Sequence, residues 1–208
     1  MAGDRSSWVF ATKKLLTELQ LAHIWESEAT GPASAWQVLI REAIKAREIA
    51  AWDSGIEKKP KLRTYRTLKT AFGREDYLAL PPQQRSIIAV MRSGTNSLRI
   101  ETGRWKREAV EDRICVLCGT AEVEDENHLI TACAMYYDLR RRMYETVQEK
   151  TGWSFRLMED DQRWLLEASI GRAVGNRESR LEIYFLSALF IGAALKRRTD
   201  LLKHVQEK

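Results

Sequence analysis

Proline and glycine are scarce in this chain, whose 208 residues include only 4 Pro and 11 Gly. Both residues mark turns, so their scarcity argues against a turn-rich sandwich or barrel. Alanine, leucine, glutamate, arginine and lysine dominate instead, and these residues have high helix propensity. A hydrophobic content of 44% is enough to bury a core. The composition therefore predicts a mainly α protein with at most a short strand pair.

Long apolar runs are also missing. The best candidate covers residues 183–195 and falls short of the ~20 apolar residues that a membrane-spanning helix needs. The opening residues lack the apolar stretch of a signal peptide. We therefore expect an intracellular protein, nuclear or cytoplasmic, with no membrane partner.

Cysteine is rare too, and its placement is informative. The chain has 3 cysteines, an odd number that argues against a secreted disulfide framework. Cys115 and Cys118 are followed by His128 and Cys133, so the pattern reads C-x2-C-x9-H-x4-C. This pattern uses every cysteine of the chain and one of its 3 histidines.

The spacing is typical of a zinc site. A C-x2-C loop directs two thiolates at one cation, and a second pair of ligands completes the tetrahedron that Zn²⁺ accepts from Cys3His. Gly119 suits the positive φ of such a loop. We predict one structural Zn²⁺ on Cys115, Cys118, His128 and Cys133, because four protein ligands leave no position for an activated water. A redox C-x-x-C pair and simply buried cysteines are the alternatives.

The interval between His128 and Cys133 constrains the local structure. Five residues advance an α-helix by roughly 500°, so both side chains cannot face the same way along one regular helix. We expect His128 at the end of a loop or short turn. Cys133 is expected near the start of a helix that continues through Tyr136, Leu139 and Met143.

Hydrophobic periodicity predicts a single helical domain over residues 1–208 with an embedded CCHC zinc knuckle. Its parts are N-terminal helices in 1–91, a zinc-knuckle region in 92–140 and C-terminal helices in 141–208. Leu98 and Ile100 alternate with charged residues after the loop-forming residues 93–96, which predicts a short strand or an extended arm within 92–105. Helices are expected near 7–21, 34–55, 62–72, 82–91, 134–151, 160–170 and 177–205.

Positive charge is concentrated in one part of the chain. The formal net charge is +5, yet residues 58–107 hold thirteen basic residues against three acidic ones, a local balance of +10. Aromatic residues are interleaved with these cations, as a surface for phosphates and bases requires. A solvated face that pairs with acidic neighbours is the alternative. The candidate nucleic-acid contacts in this stretch include Arg63, Arg66, Lys69, Trp105, Lys106 and Arg107.

Several short motifs follow one another in a recognisable order. They are KLRTY at 61–65, FGREDYL at 72–78, RSGT at 92–95, LRIETGR at 98–104, RICVLC at 113–118 and EDENH at 124–128. Together with Cys133 and Tyr136, they make residues 36–140 resemble the zinc-binding region C-terminal to the reverse transcriptase of non-LTR retrotransposons. The chain would then be a fragment of such an element or a free-standing domesticated relative.

The resemblance implies a helical, zinc-stabilised module that helps to hold template RNA or target DNA. It also implies the four metal ligands named above, with Arg92, Arg99, Arg104 and Arg113 as candidate phosphate contacts. The chain departs from the complete element because no polymerase Tyr-x-Asp-Asp motif is present.

The leading hypothesis is a non-catalytic, zinc-stabilised module that binds RNA or DNA, mainly through the backbone. The alternative is a protein-interaction module in which zinc is purely structural. An enzyme is the poorest interpretation, because the sequence shows no Gly-rich phosphate loop and no nucleophile elbow. We expect no catalytic residues and no small-molecule substrate.

Overall fold

A computed structural model of the chain describes residues 7–26, 31–155, 162–171 and 175–206. Within these ranges the secondary structure is helical, and the only β pairing is an isolated antiparallel bridge between Ile114 and Val123. The prediction of a mainly α protein with at most a short strand pair is confirmed. Residues 160 and 161 of the predicted helix 160–170 lie outside the described ranges.

The contacts divide the chain into two compact units, Met1–Lys58 and Lys59–Lys208. The prediction of one domain over residues 1–208 stays a prediction. The first unit contains α1 (Trp8–Glu18), α2 (Ala22–Glu26) and α3 (Ala33–Glu57). Ser7 begins α1 as its N-cap, with its hydroxyl accepting a hydrogen bond from the Phe10 N–H.

The second unit contains the other six helices of the described part of the chain. They are α4 (Arg63–Leu68), α5 (Pro82–Ser93), α6 (Arg99–Trp105), α7 (Tyr137–Thr151), α8 (Gln162–Ile170) and α9 (Arg177–Gln206). The long α9 packs against α5, α7 and α8. Its fully buried face includes Ile183, Ala188, Ile191 and Ala194, and the small residues on it let neighbouring helices approach closely.

Glycines end two of these helices where the chain must turn sharply. Gly94 follows α5 with φ +61°, and Gly152 follows α7 with φ +75°, a left-handed conformation that glycine adopts without steric cost. At Gly94 a side chain would also overlap the carbonyl oxygen of Lys61. This turn therefore requires glycine for space as well as for φ.

The prediction of a strand or arm within 92–105 is wrong, because residues 99–105 form α6. The Asn96 carboxamide oxygen accepts the Leu98 N–H at 3.1 Å, and the Glu124 carboxylate accepts the Arg99 N–H at 2.9 Å. These two acceptors cap the start of the helix. Glu124 lies 25 residues from Arg99 in the sequence, so the local alternation of residues could not predict this hydrogen bond.

Charged residues are buried within the second unit, and they are paired. Glu124, 2% exposed, accepts two hydrogen bonds of 2.7 Å from the Arg198 guanidinium. Glu126, 1% exposed, accepts hydrogen bonds from Arg63 at 2.9 and 2.7 Å and from Asn96 at 2.6 Å. Bidentate geometry of this kind offsets part of the cost of burying a carboxylate.

Among the described residues, no helix is both long and apolar enough to cross a membrane.

Neighbouring arginines on α9 provide a test of this burial. Arg198→Met leaves Glu124 buried without its cation, and the free energy of unfolding is expected to fall by about 3–5 kcal/mol. Arg197 bonds the solvent-exposed Asp138, so Arg197→Met is expected to cost far less than Arg198→Met. Urea denaturation of both variants makes the comparison. Equal losses would show that the Glu124–Arg198 pair has no special role.

Candidate metal centre

A short hairpin carries the first two cysteines. The Cys115 N–H donates to the Glu122 carbonyl at 2.7 Å, and the Glu124 N–H donates to the Arg113 carbonyl at 2.9 Å. Between Cys115 and Glu122 the chain turns through Gly119, whose φ is +71°. The positive φ expected from the sequence is therefore present, and the turn brings Cys118 back beside Cys115.

The other two candidate ligands flank a π-helical turn, His128–Ala132, which His128 begins and Cys133 follows. The Asp125 carboxylate accepts the His128 N–H at 2.8 Å and so caps the turn. The Cys133 N–H donates to the His128 carbonyl at 2.7 Å. This i, i+5 hydrogen bond defines a π turn, and it brings together two residues that one regular α-helix would direct apart.

The π turn changes the local structure predicted for His128 and Cys133. His128 does not end a loop; it begins the π turn. Cys133 precedes a 3₁₀ turn, Ala134–Tyr136, which leads directly into α7. A π turn is rare and has no clear sequence signature. The spacing therefore predicted only that His128 and Cys133 do not share one regular α-helix.

A buried arginine supports the end of the π turn. Arg140, 6% exposed, donates from Nε to the Ile130 carbonyl at 2.7 Å. Its Nη2 donates to the carbonyls of Leu129 and Cys133 at 3.3 and 3.0 Å. Carbonyls at a helix end need partners, and Arg140 supplies them from α7. Arg140 was not among the residues predicted from the sequence.

The four ligand atoms lie close enough together to hold one metal ion. The Sγ atoms of Cys115, Cys118 and Cys133 and a ring nitrogen of His128 are all within 4.8 Å of one another. Usual Zn–S and Zn–N bond lengths place tetrahedral ligands roughly 3.5–3.8 Å apart. The distance from Cys118 Sγ to His128 Nε2 is 3.4 Å. Cys115, His128 and Cys133 are buried, whereas Cys118 is partly exposed.

The proximity of these groups changes their acidity. The hydrogen bond with Cys133 lowers the pKa of Cys115, and the same bond raises the pKa of Cys133. Burial opposes a charge on His128, yet hydrogen bonds to Cys115 and Glu122 raise its pKa to about 9. Negative sulfur and positive imidazole thus stabilise each other at the position where a cation would bind.

Glu122 orients the histidine. Its Oε2 lies 2.7 Å from His128 Nδ1, so Nδ1–H donates to the carboxylate and Nε2 faces the cysteines. A carboxylate behind a ligating histidine fixes its tautomer and strengthens it as a ligand. Glu122 was not predicted from the sequence, although it lies only six residues before the histidine.

The buried carboxylates attach the metal centre to the rest of the second unit. Glu124 bonds Arg198 on α9, and Glu126 bonds Arg63 and Thr64 on α4. The backbone of Glu124 also accepts the Ile100 N–H of α6 at 3.0 Å. The EDENH motif thus combines two internal ion pairs, the caps of α6 and of the π turn, and one candidate metal ligand.

Three of the predicted nucleic-acid contacts are committed to internal bonds. Arg92 is 1% exposed and donates hydrogen bonds to the Ile170 carbonyl and the Glu75 carboxylate. Its guanidinium carbon lies 5.2 Å from the centroid of the Tyr77 ring. Lys69 bonds Glu75 at 2.8 Å. Arg63 bonds Glu101 as well as Glu126.

Two more predicted contacts connect α6 with the residues that follow it. Arg113 donates to the carbonyls of Ile100 and Glu108, and Arg99 bonds the Glu108 carboxylate at 2.8 Å. At Gly103 an added Cβ would lie 2.6 Å from Arg113 Cγ. Glycine therefore allows Arg113 to cross α6 closely.

The remaining predicted contacts are exposed. Arg66 lies on α4, and residues 104–107 form the end of α6 and the turn that follows it. Arg104 bonds Glu101 at 2.9 Å while its own side chain stays 40% exposed. Trp105 is 70% exposed. The structure thus brings Arg104, Trp105, Lys106 and Arg107 together at one exposed helix end, and the role of every residue in the predicted set stays a prediction.

Comparisons of the chain with protein-family models, curated proteins and solved structures find no significant match. The resemblance to the retrotransposon region therefore stays a prediction based on the motifs.

Replacing the carboxylate behind His128 tests the metal centre. Glu122→Ala is expected to weaken metal affinity about 10- to 100-fold, because the imidazole loses its orienting partner. Competition with a chromophoric chelator measures the change. Glu111→Ala removes another exposed acid near the hairpin and should leave the affinity unchanged; equal affinities for both variants would contradict the proposed orientation of His128.

Proposed function

We propose that the metal is Zn²⁺ and that its role is structural. Three thiolates and one imidazole form a donor set that Zn²⁺ binds tetrahedrally, whereas Mg²⁺ and Ca²⁺ prefer oxygen ligands. Four protein ligands leave no open coordination position for a catalytic water. A redox C-x-x-C pair would not need His128 and Cys133 beside it, nor a carboxylate that orients the histidine.

We further propose that the chain is a non-catalytic, zinc-stabilised module that binds RNA or DNA. The observation that carries this proposal is the exposed basic helix end formed by Arg104, Trp105, Lys106 and Arg107. Among the described residues, the side chains of Trp105, Lys106 and Arg107 are exposed and make no hydrogen bond or ion pair. Cations of this kind neutralise phosphates, and an exposed indole offers a face on which a base can stack.

The position of this helix end links it to the metal. Arg113, next to the first residue of the hairpin bridge, donates to the Ile100 and Glu108 carbonyls on both sides of residues 104–107. Metal binding at Cys115 and Cys118 would fix the hairpin and, through Arg113, the direction in which the basic helix end points. The proposal therefore predicts metal-dependent nucleic-acid affinity.

The proposed ancestry is the zinc-binding region that follows the reverse transcriptase of non-LTR retrotransposons. The motifs named from the sequence support it, since EDENH, RICVLC and LRIETGR contribute to one connected arrangement around the metal centre. Whether the chain is a fragment of a longer element does not affect the proposed binding role.

Exposed apolar side chains in the first unit favour a second candidate, the protein-interaction module. Trp8 is 74% exposed on α1, and Val38, Leu39 and Ile44 are exposed on α3. Large exposed apolar patches often mark a protein contact. Zinc would then have only an architectural role.

Salt-dependent binding to RNA and DNA tests the leading proposal. The variant Lys106→Gln/Arg107→Gln removes two exposed cations, so its log–log salt slope is expected to be shallower by about 1.4 for a single strand or 1.8 for duplex DNA. Fluorescence anisotropy of a labelled oligonucleotide, titrated across salt, gives the slope.

The matched control is Lys13→Gln/Lys45→Gln, which makes the same charge change at exposed positions of the first unit. Its slope should equal that of the unaltered chain. If both double variants give the same salt slope, the binding depends on net charge alone and not on the end of α6. Absence of binding to every oligonucleotide would leave the protein-interaction module as the better explanation.

A further inference from the structure

A cavity of about 520 Å³ adjoins the π turn of the metal centre. Thr131 of that turn forms one side, and Leu165 of α8 contributes an apolar surface. Along α7 the cavity is lined by Tyr137, Arg140, Arg141 and Tyr144. The spacing of the α7 residues, at i, i+3, i+4 and i+7, places them on one helix face.

The lining combines aromatic rings with positive charge. Two tyrosines and two arginines contribute to it, and none of the described residues that line it carries a carboxylate. A second cavity of the same volume lies beside Gly73, where Glu75, Asp76 and Glu167 balance the cations Lys69 and Arg74. Of these two cavities, the one at the π turn therefore has the charge to attract an anion.

Tyr137 and Arg141 are the accessible members of the lining. Tyr137 begins α7 and is 61% exposed. Arg141 follows one turn later and bonds Glu145 at 3.4 Å, with both side chains well exposed to solvent. An ion pair of this kind is weak, so a phosphate can replace it. Deeper in, Tyr144 stacks on Phe155 with centroids 4.9 Å apart, which holds its ring in place.

We propose that this cavity binds one unpaired nucleotide of a single-stranded segment. The base stacks on Tyr137 at the entrance and Arg141 contacts the adjacent phosphate. The Thr131 hydroxyl, which donates to the Asn127 carbonyl at 2.8 Å, accepts a hydrogen bond from the edge of the base. A base held in a duplex cannot enter, because its faces are covered by its neighbours. The inference rests on the proposed nucleic-acid function and specifies the form of nucleic acid that the module selects.

Affinity for single strands and duplexes, measured with the zinc-loaded full chain, tests this assignment. The probes are a short fluorescein-labelled RNA, the DNA of the same sequence, and the duplex of each. Tyr137→Ala is expected to weaken single-strand binding about 5- to 100-fold through lost stacking, with duplex affinity unchanged. Tyr137→Phe keeps the ring and should bind single strands as the unaltered chain does.

Neighbouring arginines supply the charge control. Arg141→Gln should make the single-strand salt slope shallower by about 0.7, whereas Arg142→Gln should not, because Arg142 lines a different groove beside α9. The RNA and DNA arms show which sugar the cavity accepts.

Two failures are distinguishable. If the unaltered chain binds single strands and Tyr137→Ala binds them equally well, the cavity assignment is wrong and the proposed function stands. If the unaltered chain binds none of the four probes, the proposed function is wrong and the cavity assignment falls with it.

Discussion

The convergence of three thiols and one imidazole on a single small volume is the constraint on which the second unit depends. The hairpin contributes Cys115 and Cys118, the π turn contributes His128 and Cys133, and all four ligand atoms lie within 4.8 Å of one another. Neither element is long enough to be stable alone in water. A shared metal ion would make each element support the other, with a binding free energy on the order of 10 kcal/mol for sites of this class.

Buried ion pairs extend that local order to the surrounding helices, and they change how the basic stretch should be interpreted. Arg63 and Arg92 use their guanidinium groups inside the protein, and Arg198 does the same from α9. The positive balance of residues 58–107 is therefore only partly a surface property. Lys58, Lys59, Lys61, Arg66 and Arg74 stay exposed. Arg104, Lys106 and Arg107 are exposed together at the end of α6, which Arg113 holds next to the hairpin. A small surface in a fixed position is better suited to selective binding than a diffuse charge is.

The sequence predicted the candidate metal ligands because spacing and residue type are local properties, and the Gly119 turn followed for the same reason. It also predicted that His128 and Cys133 cannot share one regular helix. The π turn that unites them and the roles of Glu122 and Arg140 were beyond its reach, since they depend on side chains meeting after folding. Residues 99–105 show the same limit: their brief alternation resembles a strand, but caps from Asn96 and the distant Glu124 make them a helix. The Glu126–Arg63 and Glu124–Arg198 pairs join residues 63 and 74 positions apart, which no single sequence reveals.

The zinc content of the full chain tests the central claim most directly. Native mass spectrometry of the protein, with Cys133→Ser measured beside it, is expected to find one zinc ion per chain and none in the variant. Chelation of the unaltered chain should then abolish the near-ultraviolet dichroism of the aromatic residues packed in the second unit, because structural zinc and folding are coupled. A metal-free chain that keeps this signal and unfolds at the same urea concentration as the zinc-loaded chain would contradict the account.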